Sequence, residues 1–340
     1  MKSKTGVLLV NLGTPDSPSV SDVRKYLFEF LNDPRVIDLP WILRKILVNI
    51  IIVPFRAPKS AKIYKQLWTD KGSPLLLYGN KVKEKLQNEL GRGFDVEFAM
   101  RYQNPSLNAV LENIRKKQHE KLIIIPMFPQ YASASTGSVI EKVMNIVSKW
   151  WVIPEIKFIS QFYDNEDFIN SFVEIAKKYN IGGYDHVLFS YHGLPVRQVD
   201  KVYTDGKKCS EHNCENEITE DNKFCYKAAC YATTRLLAGK LNIAKEKYTV
   251  CFQSRLDKKW LEPFTDKVII QKANEKAKKL LVFSPAFVAD CLETIVEIGI
   301  EYQNLFTEHG GEKIQLVESL NEHPTWIKTL KNLVLKECAN

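Results

Sequence analysis

Short apolar runs bounded by Gly, Pro, Asn or Asp alternate with stretches of helical period along most of the chain. Runs at 6–12, 94–100 and 121–127 read as buried strands, and patterns at 22–31, 80–90, 107–116 and 137–147 as amphipathic helices. That alternation predicts a parallel sheet wound with helices. A second series begins near residue 155, with strands expected at 155–159, 186–190, 248–252, 280–284 and 313–317. The pattern predicts an α/β protein of two similar wound halves, 1–160 and 161–340, and 340 residues suffice for two cores.

Strand ends matter because ligands of open α/β sheets bind at the carboxyl ends of the strands. His192 occupies such an end, in Phe189-Ser190-Tyr191-His192-Gly193-Leu194-Pro195, directly after the apolar run 186–189. The run 280–283, broken by Pro285, leads to an equivalent position followed by Asp290, Glu293, Glu297 and Glu301. Steps of three, four and four residues put these carboxylates on one helix face, with Leu292, Ile295, Val296 and Gly299 on the other. Like charges cost roughly 0.2–0.5 kcal/mol per neighbouring pair in an isolated helix, and no Lys or Arg on that stripe offsets them. A cation or shared protons would. Each motif alone is as readily a hydrogen-bonded histidine or a solvated helix face. At equivalent strand ends of one half, they predict a place that accepts protons and seats a cation.

The most apolar stretch, 41–56, holds Trp41, Ile42, Leu43, Ile46, Leu47, Val48, Ile50, Ile51, Ile52, Val53 and Phe55 with Arg44, Lys45 and Arg56 among them. It is too short and too charged to span a bilayer. It reads either as a core helix followed by a strand or as an interfacial segment, for which Lys59 and Lys62 would suit anionic headgroups.

Composition narrows the function classes. The net charge of +8 favours acidic partners, yet there is no RNA-binding aromatic signature, zinc-finger pair or base-reading basic helix, so no nucleic acid is expected. The first strand ends in Asn11-Leu12-Gly13-Thr14-Pro15 without the G-x-G-x-x-G of a dinucleotide site, and no G-x-x-x-x-G-K-[ST] occurs. The first residues carry no secretory pattern, so a cytoplasmic location is expected. In a reducing compartment the seven cysteines do not read as a disulfide framework. Cys209, Cys214, Cys225 and Cys230 cluster in an insertion spanning 207–230. Four thiolates so close suit zinc or an iron-sulfur cluster, with His212 as an alternative ligand. Cys251 and Cys291 read as buried thiols.

Several ordered motifs carry a resemblance: Val10-Asn11-Leu12-Gly13-Thr14-Pro15, Gly72-Ser73-Pro74-Leu75, Met100-Arg101-Tyr102-Gln103-Asn104-Pro105, Pro129-Gln130-Tyr131 and Ser135-Thr136-Gly137-Ser138. They continue with Ser190-Tyr191-His192-Gly193-Leu194-Pro195, Gln253-Ser254-Arg255, Ala289-Asp290-Cys291-Leu292-Glu293-Thr294 and Glu318-Ser319-Leu320-Asn321. Together they resemble the ferrochelatase family over most of the chain. The resemblance implies two Rossmann-like domains, each a parallel sheet flanked by helices, around a porphyrin cleft, with a last helix able to cross back onto the first domain. It implies insertion of ferrous iron into protoporphyrin IX to give protohaem, with no organic cofactor. His192 and Glu293 would face each other across the macrocycle, and Leu12, Arg101, Tyr102, Tyr131 and Ser138 would line the cleft. The stretch from residue 41 would be the lip that admits porphyrin from a membrane surface touched peripherally.

The chemistry accounts for the residue types. Metal insertion releases the two pyrrole protons, and histidine, with an unperturbed pKa of about 6.5, is the side chain suited to accept them near neutrality. His192 is the expected acceptor and Glu293 the opposing oxygen ligand or proton relay, both able to meet the substrate iron. Asp290, Glu297 and Glu301 would continue an acidic path outward. Cys291 stands where many relatives carry a histidine. Cys209, Cys214, Cys225 and Cys230 resemble the internal segment of a microbial subgroup that binds a 2Fe-2S cluster, with zinc as the alternative. Coproporphyrin insertion and a non-catalytic porphyrin carrier are the competing functions, and a homodimer is left open.

Overall fold

The computed structural model describes residues 5–339. Strands β1 (Thr5–Gly13), β2 (Phe94–Tyr102), β3 (Lys121–Pro126) and β4 (Glu155–Phe158) form one sheet in the order β2-β1-β3-β4. Strands β5 (His186–His192), β6 (Tyr248–Gln253), β7 (Lys279–Phe283) and β8 (Lys313–Leu316) form a second in the order β6-β5-β7-β8. Every pairing is parallel, and the inner strands are apolar on both faces because helices cover both sides. The strand at 155–158 belongs to the first sheet, not to the second series. It pairs Lys121↔Glu155 through Ile124↔Phe158. Ile156 and Phe158 pack on the first core, and that burial, invisible to strand spacing, decides its sheet.

Two compact units result. One comprises the chain up to Phe128, Ser133–Gln161 and the residues from Trp326 on; the other comprises Pro129–Ala132 and Phe162–Thr325. In the first, helices Leu107–Lys117 and Ser138–Val147 press Leu111, Ile114, Val139 and Val143 onto Leu8, Val10, Leu122 and Ile124. Ser106 starts the former helix by accepting the Ala109 N–H. The C-terminal helix Pro324–Ala339 is tied here by Lys121 Nζ to Glu337 O at 3.1 Å and Lys331 to Glu89 at 3.0 Å. In the second unit, Val268, Ile269, Ile298 and Phe306 cover Leu188, Leu280 and Val282. Each such buried side chain contributes roughly 1.5–3 kcal/mol.

Residues 41–67 are helical throughout, as Trp41–Ile46, a π-helical stretch Leu47–Ile52 and Val53–Leu67, so no strand follows the apolar helix. Its apolar side chains are largely exposed: Trp41 at 66 %, Ile50 at 66 % and Phe55 at 73 %. The other π-helical segments among the described residues are Ser133–Gly137 and Glu293–Tyr302. π turns are rare and recur at functional sites. All three fall in segments that the sequence singles out. Among the described residues no helix is long and apolar enough to cross a membrane.

Candidate active site and cysteine centre

In the second unit β5 runs through six buried residues to half-buried His192, where the sheet ends. The chain turns at Gly193, whose N–H donates to Gln253 O at 2.8 Å. A Cβ on Gly193 would lie 2.8 Å from that oxygen and 3.3 Å from the Trp260 ring, so only glycine permits the turn. His192 Nδ1 lies 2.7 Å from Gly193 O. A carbonyl can only accept, so Nδ1 carries a proton, and in the neutral ring the lone pair lies on Nε2. The rings of Trp260 and Phe287, with centroids 6.4 and 6.5 Å from the imidazole, give it an apolar surround.

β7, the parallel neighbour of β5, leads to the acidic residues. Gln253 joins the two motifs: it pairs with His192 in the ladder, and its Nε2 donates to Glu293 O at 3.0 Å. Ser190 Oγ fixes that amide through Gln253 Oε1 at 2.7 Å. The carboxylates do not form one uniform face. Asp290 precedes the helix and accepts from Thr294 Oγ1 at 3.1 Å and Asn321 Nδ2 at 2.7 Å, anchoring the Glu318–Asn321 motif. Glu297 accepts from Gln253 Nε2, Ser254 N, Ser254 Oγ and Tyr302 Oη at 2.5–2.9 Å, which commits both its oxygens. Glu301 is raised above the usual carboxyl value by partial burial and by the Glu297 charge. Burial, with the Glu293 carboxylate beside it, pushes the Cys291 thiol well up, so it stays protonated as a donor to Glu293. Thr294, Val296 and Ile298 are the buried positions of the π segment; Gly299, expected to pack, is exposed.

In the first unit three of the expected lining residues, Arg101, Tyr102 and Ser138, gather on one side chain that sequence reasoning missed. Asp33, buried in the turn after helix Val20–Leu31, accepts from Arg101 Nη2 at 2.6 Å, Tyr102 Oη at 2.9 Å and Ser138 Oγ at 2.5 Å. Burial, then the Asp33 charge, raises the Tyr102 hydroxyl and keeps it a neutral donor. Leu12 lies one residue before Gly13, which has φ +131° and would clash with Tyr102 O if it bore a Cβ. Tyr131 falls in the second unit, its ring 6.1 Å from that of Phe224.

The insertion folds into short turns around Cys209, Cys214 and Cys225, whose Sγ atoms lie 3.6–3.9 Å apart and are buried. Metal–thiolate bonds of about 2.3 Å in a tetrahedron give sulfur–sulfur edges of about 3.8 Å, so this triangle fits one face of a thiolate-ligated metal centre. Bonds from the Cys209 and Cys225 thiols, then from Tyr203 Oη at 2.9 Å, hold Cys214 below the usual thiol value. Cys209 is correspondingly raised. Cys230 lies outside this tight group, on helix Tyr226–Lys240, with its thiol raised by burial. His212 stacks on Tyr203 with centroids 4.0 Å apart.

Two four-stranded parallel sheets flanked by helices give the chelatase-type fold. SirB from Bacillus subtilis, solved with Fe3+, shares this architecture: TM-score 0.56 at 11 % identity, covering 98 % of this chain and 95 % of that one. The sirohydrochlorin chelatase SirB from Bacillus subtilis subspecies spizizenii in complex with cobalt gives TM-score 0.55 at 12 % identity, covering 98 % and 94 %. The sequence pattern of ferrochelatases matches residues 4–338. The ferrochelatase of Coxiella burnetii (strain Dugway 5J108-111) is 42 % identical over 337 residues, 98 % of this chain and 94 % of that protein. The ferrochelatase of Legionella pneumophila (strain Lens) is 44 % identical over 332 residues, 97 % of this chain and 98 % of that protein. The chain belongs to the ferrochelatase family, and with it to the metal-chelating lyases.

Proposed function

We propose that this chain inserts ferrous iron into protoporphyrin IX, with His192 as proton acceptor and Glu293 as the opposing carboxylate. The observation that carries the reading is the shared anchor: Gln253 pairs with His192 through the ladder and with Glu293 through its amide. Two pyrrole N–H groups lose their protons while iron takes the ring nitrogens, so the porphyrin dianion balances the metal charge. The free Nε2 lone pair of His192 suits it to accept a pyrrole proton, and Glu293 beside the Cys291 thiol provides a carboxylate for iron or a relayed proton. Because Asp290 and Glu297 are committed to local donors, they position the acidic helix, and Glu301, with its raised carboxyl, is the better outward proton carrier.

Leu12, Arg101, Tyr102, Tyr131 and Ser138 are proposed to line the porphyrin site, where a rigid wall would spend binding energy on bending the macrocycle toward metal entry. The buried Asp33 bonds support such rigidity. The exposed apolar side chains of 41–55 support peripheral contact with a membrane, since Arg56, Lys59 and Lys62 are exposed beside them and no Asp or Glu occurs from Leu39 to Thr69. The cysteines are proposed to hold a metal centre through Cys209, Cys214, Cys225 and Cys230. The resemblance of the segment favours a 2Fe-2S cluster; the near-equilateral triangle of three sulfurs favours a single zinc ion. Bound there, either group would cross-link an otherwise irregular segment.

Initial rates with ferrous iron under anaerobic conditions, using protoporphyrin IX and coproporphyrin in parallel, test the reading. Faster insertion into protoporphyrin is expected. Preference for coproporphyrin would change the substrate, and binding of both without insertion would make the chain a carrier.

A further inference from the structure

Tyr226 stands where the two metal-handling regions of the second unit meet. It follows Cys225 directly and is the first residue of helix Tyr226–Lys240. Its hydroxyl donates to the main-chain oxygen of His192 at 2.9 Å, and its side chain is in hydrogen-bonding contact with the Cys230 thiol. The helix behind it is a stiff support: Ala228, Ala229, Cys230, Thr233, Thr234 and Leu237 are buried, and Thr234 holds Tyr191, the residue before His192, at 2.8 Å.

The far end of this connection is less secure. The chain from Cys209 to Cys225 contains one short 3-10 turn, and the helix begins at Cys225 without a side-chain cap. Local bonds such as Cys225 N to Asn222 O at 2.8 Å and Asn222 Nδ2 to Glu217 O at 3.1 Å hold parts of it, and whatever holds Cys209, Cys214 and Cys225 together ties those parts to one another. Release of that triangle would loosen the first turn, and with it the Tyr226 hydroxyl. The His192 carbonyl is the last in β5, and beyond it the loop is held by Gly193 N to Gln253 O at 2.8 Å and Leu261 N to Leu194 O at 2.9 Å. Loss of the Tyr226 bond would let the His192 main chain and its imidazole shift.

We infer that Tyr226 is a positioning residue for His192, and that through it the integrity of the cysteine centre sets where the imidazole sits. This rests on the reading of His192 as proton acceptor.

The test is a double-mutant cycle on the full chain with Tyr226→Phe, Cys209→Ser and both, read by anaerobic insertion kinetics and by the 15N resonances of the His192 ring. Tyr226→Phe is expected to lower kcat about fivefold, the equivalent of one hydrogen bond, with KM for porphyrin unchanged. Its His192 resonance moves while melting temperature and bound metal stay as in the parent. Cys209→Ser is expected to lower kcat and move the same resonance, and to add nothing further in the Tyr226→Phe background. Additive effects, or an unmoved resonance in Tyr226→Phe, would overturn the inference. If Cys209→Ser does not fold, Tyr226→Phe alone decides it. Full insertion by His192→Ala would instead remove the base reading, while the resonance shifts would still report the connection.

Discussion

His192 donates its Nδ1 proton to the carbonyl oxygen of the next residue, Gly193, at 2.7 Å. One contact thus selects the tautomer and leaves Nε2 as the basic nitrogen. It depends on a turn that only glycine can make, because a Cβ would meet Gln253 O at 2.8 Å. Gly193→Ala should therefore lower kcat by at least about tenfold, a 1.4 kcal/mol misplacement, with the imidazole still present. Steady-state rates on folded variant check this.

The acidic residues should separate by role. Glu297→Gln turns an amide N–H toward one of the donors from Gln253, Ser254 and Tyr302, and should destabilise the fold by about 1–3 kcal/mol. Glu293→Gln should leave melting unchanged and lower kcat about a hundredfold. Denaturant titration and insertion rates on both variants distinguish a structural carboxylate from a reacting one.

His186 yields a pH prediction. Burial lowers its pKa from 6.5 to about 4, and its Nε2 lies 2.9 Å from Thr249 Oγ1. Between those values the unfolded chain binds the proton and the folded chain does not, so stability present above pH 6.5 is lost as pH falls toward about 4. The loss is at most about 3 kcal/mol. His186→Asn should flatten that part of the stability profile, measured by urea unfolding between pH 7 and pH 4.

The exposed lip should act at a surface, not in the core. Ile50→Glu with Phe55→Glu is expected to abolish co-flotation with anionic vesicles while changing stability by less than about 0.5 kcal/mol per site. Vesicle flotation and thermal melting of the same samples check both halves.

The alternation of strand and helix patterns carried the wound sheets, and the strand-end positions of His192 and of the segment that begins the acidic row were legible, because hydrophobic period and turn residues are local signals. The rest was set by contacts distant in sequence. Strand 155–158 joins the first sheet because Ile156 and Phe158 face that core. Asp290 leaves the acidic row because Asn321 claims it, and Asp33 carries no local sign that Arg101, Tyr102 and Ser138 converge on it. Gln253 opens the Gln253-Ser254-Arg255 motif, but only the register of β5 and β6 and its amide bond reveal it as the link between His192 and Glu293. The π winding of Glu293–Tyr302 likewise leaves no mark in the spacing of its apolar residues, which fits an α-helix as well.

The most direct measurement is the anaerobic initial rate of iron insertion into protoporphyrin IX by the parent protein and by His192→Ala, with melting curves on the same samples. The parent should exceed the uncatalysed rate, and the variant should fall by at least about a hundredfold at unchanged melting temperature. A parent no faster than the uncatalysed reaction would contradict enzymatic insertion, and a folded variant retaining more than about a tenth of parental turnover would contradict His192 as the proton acceptor.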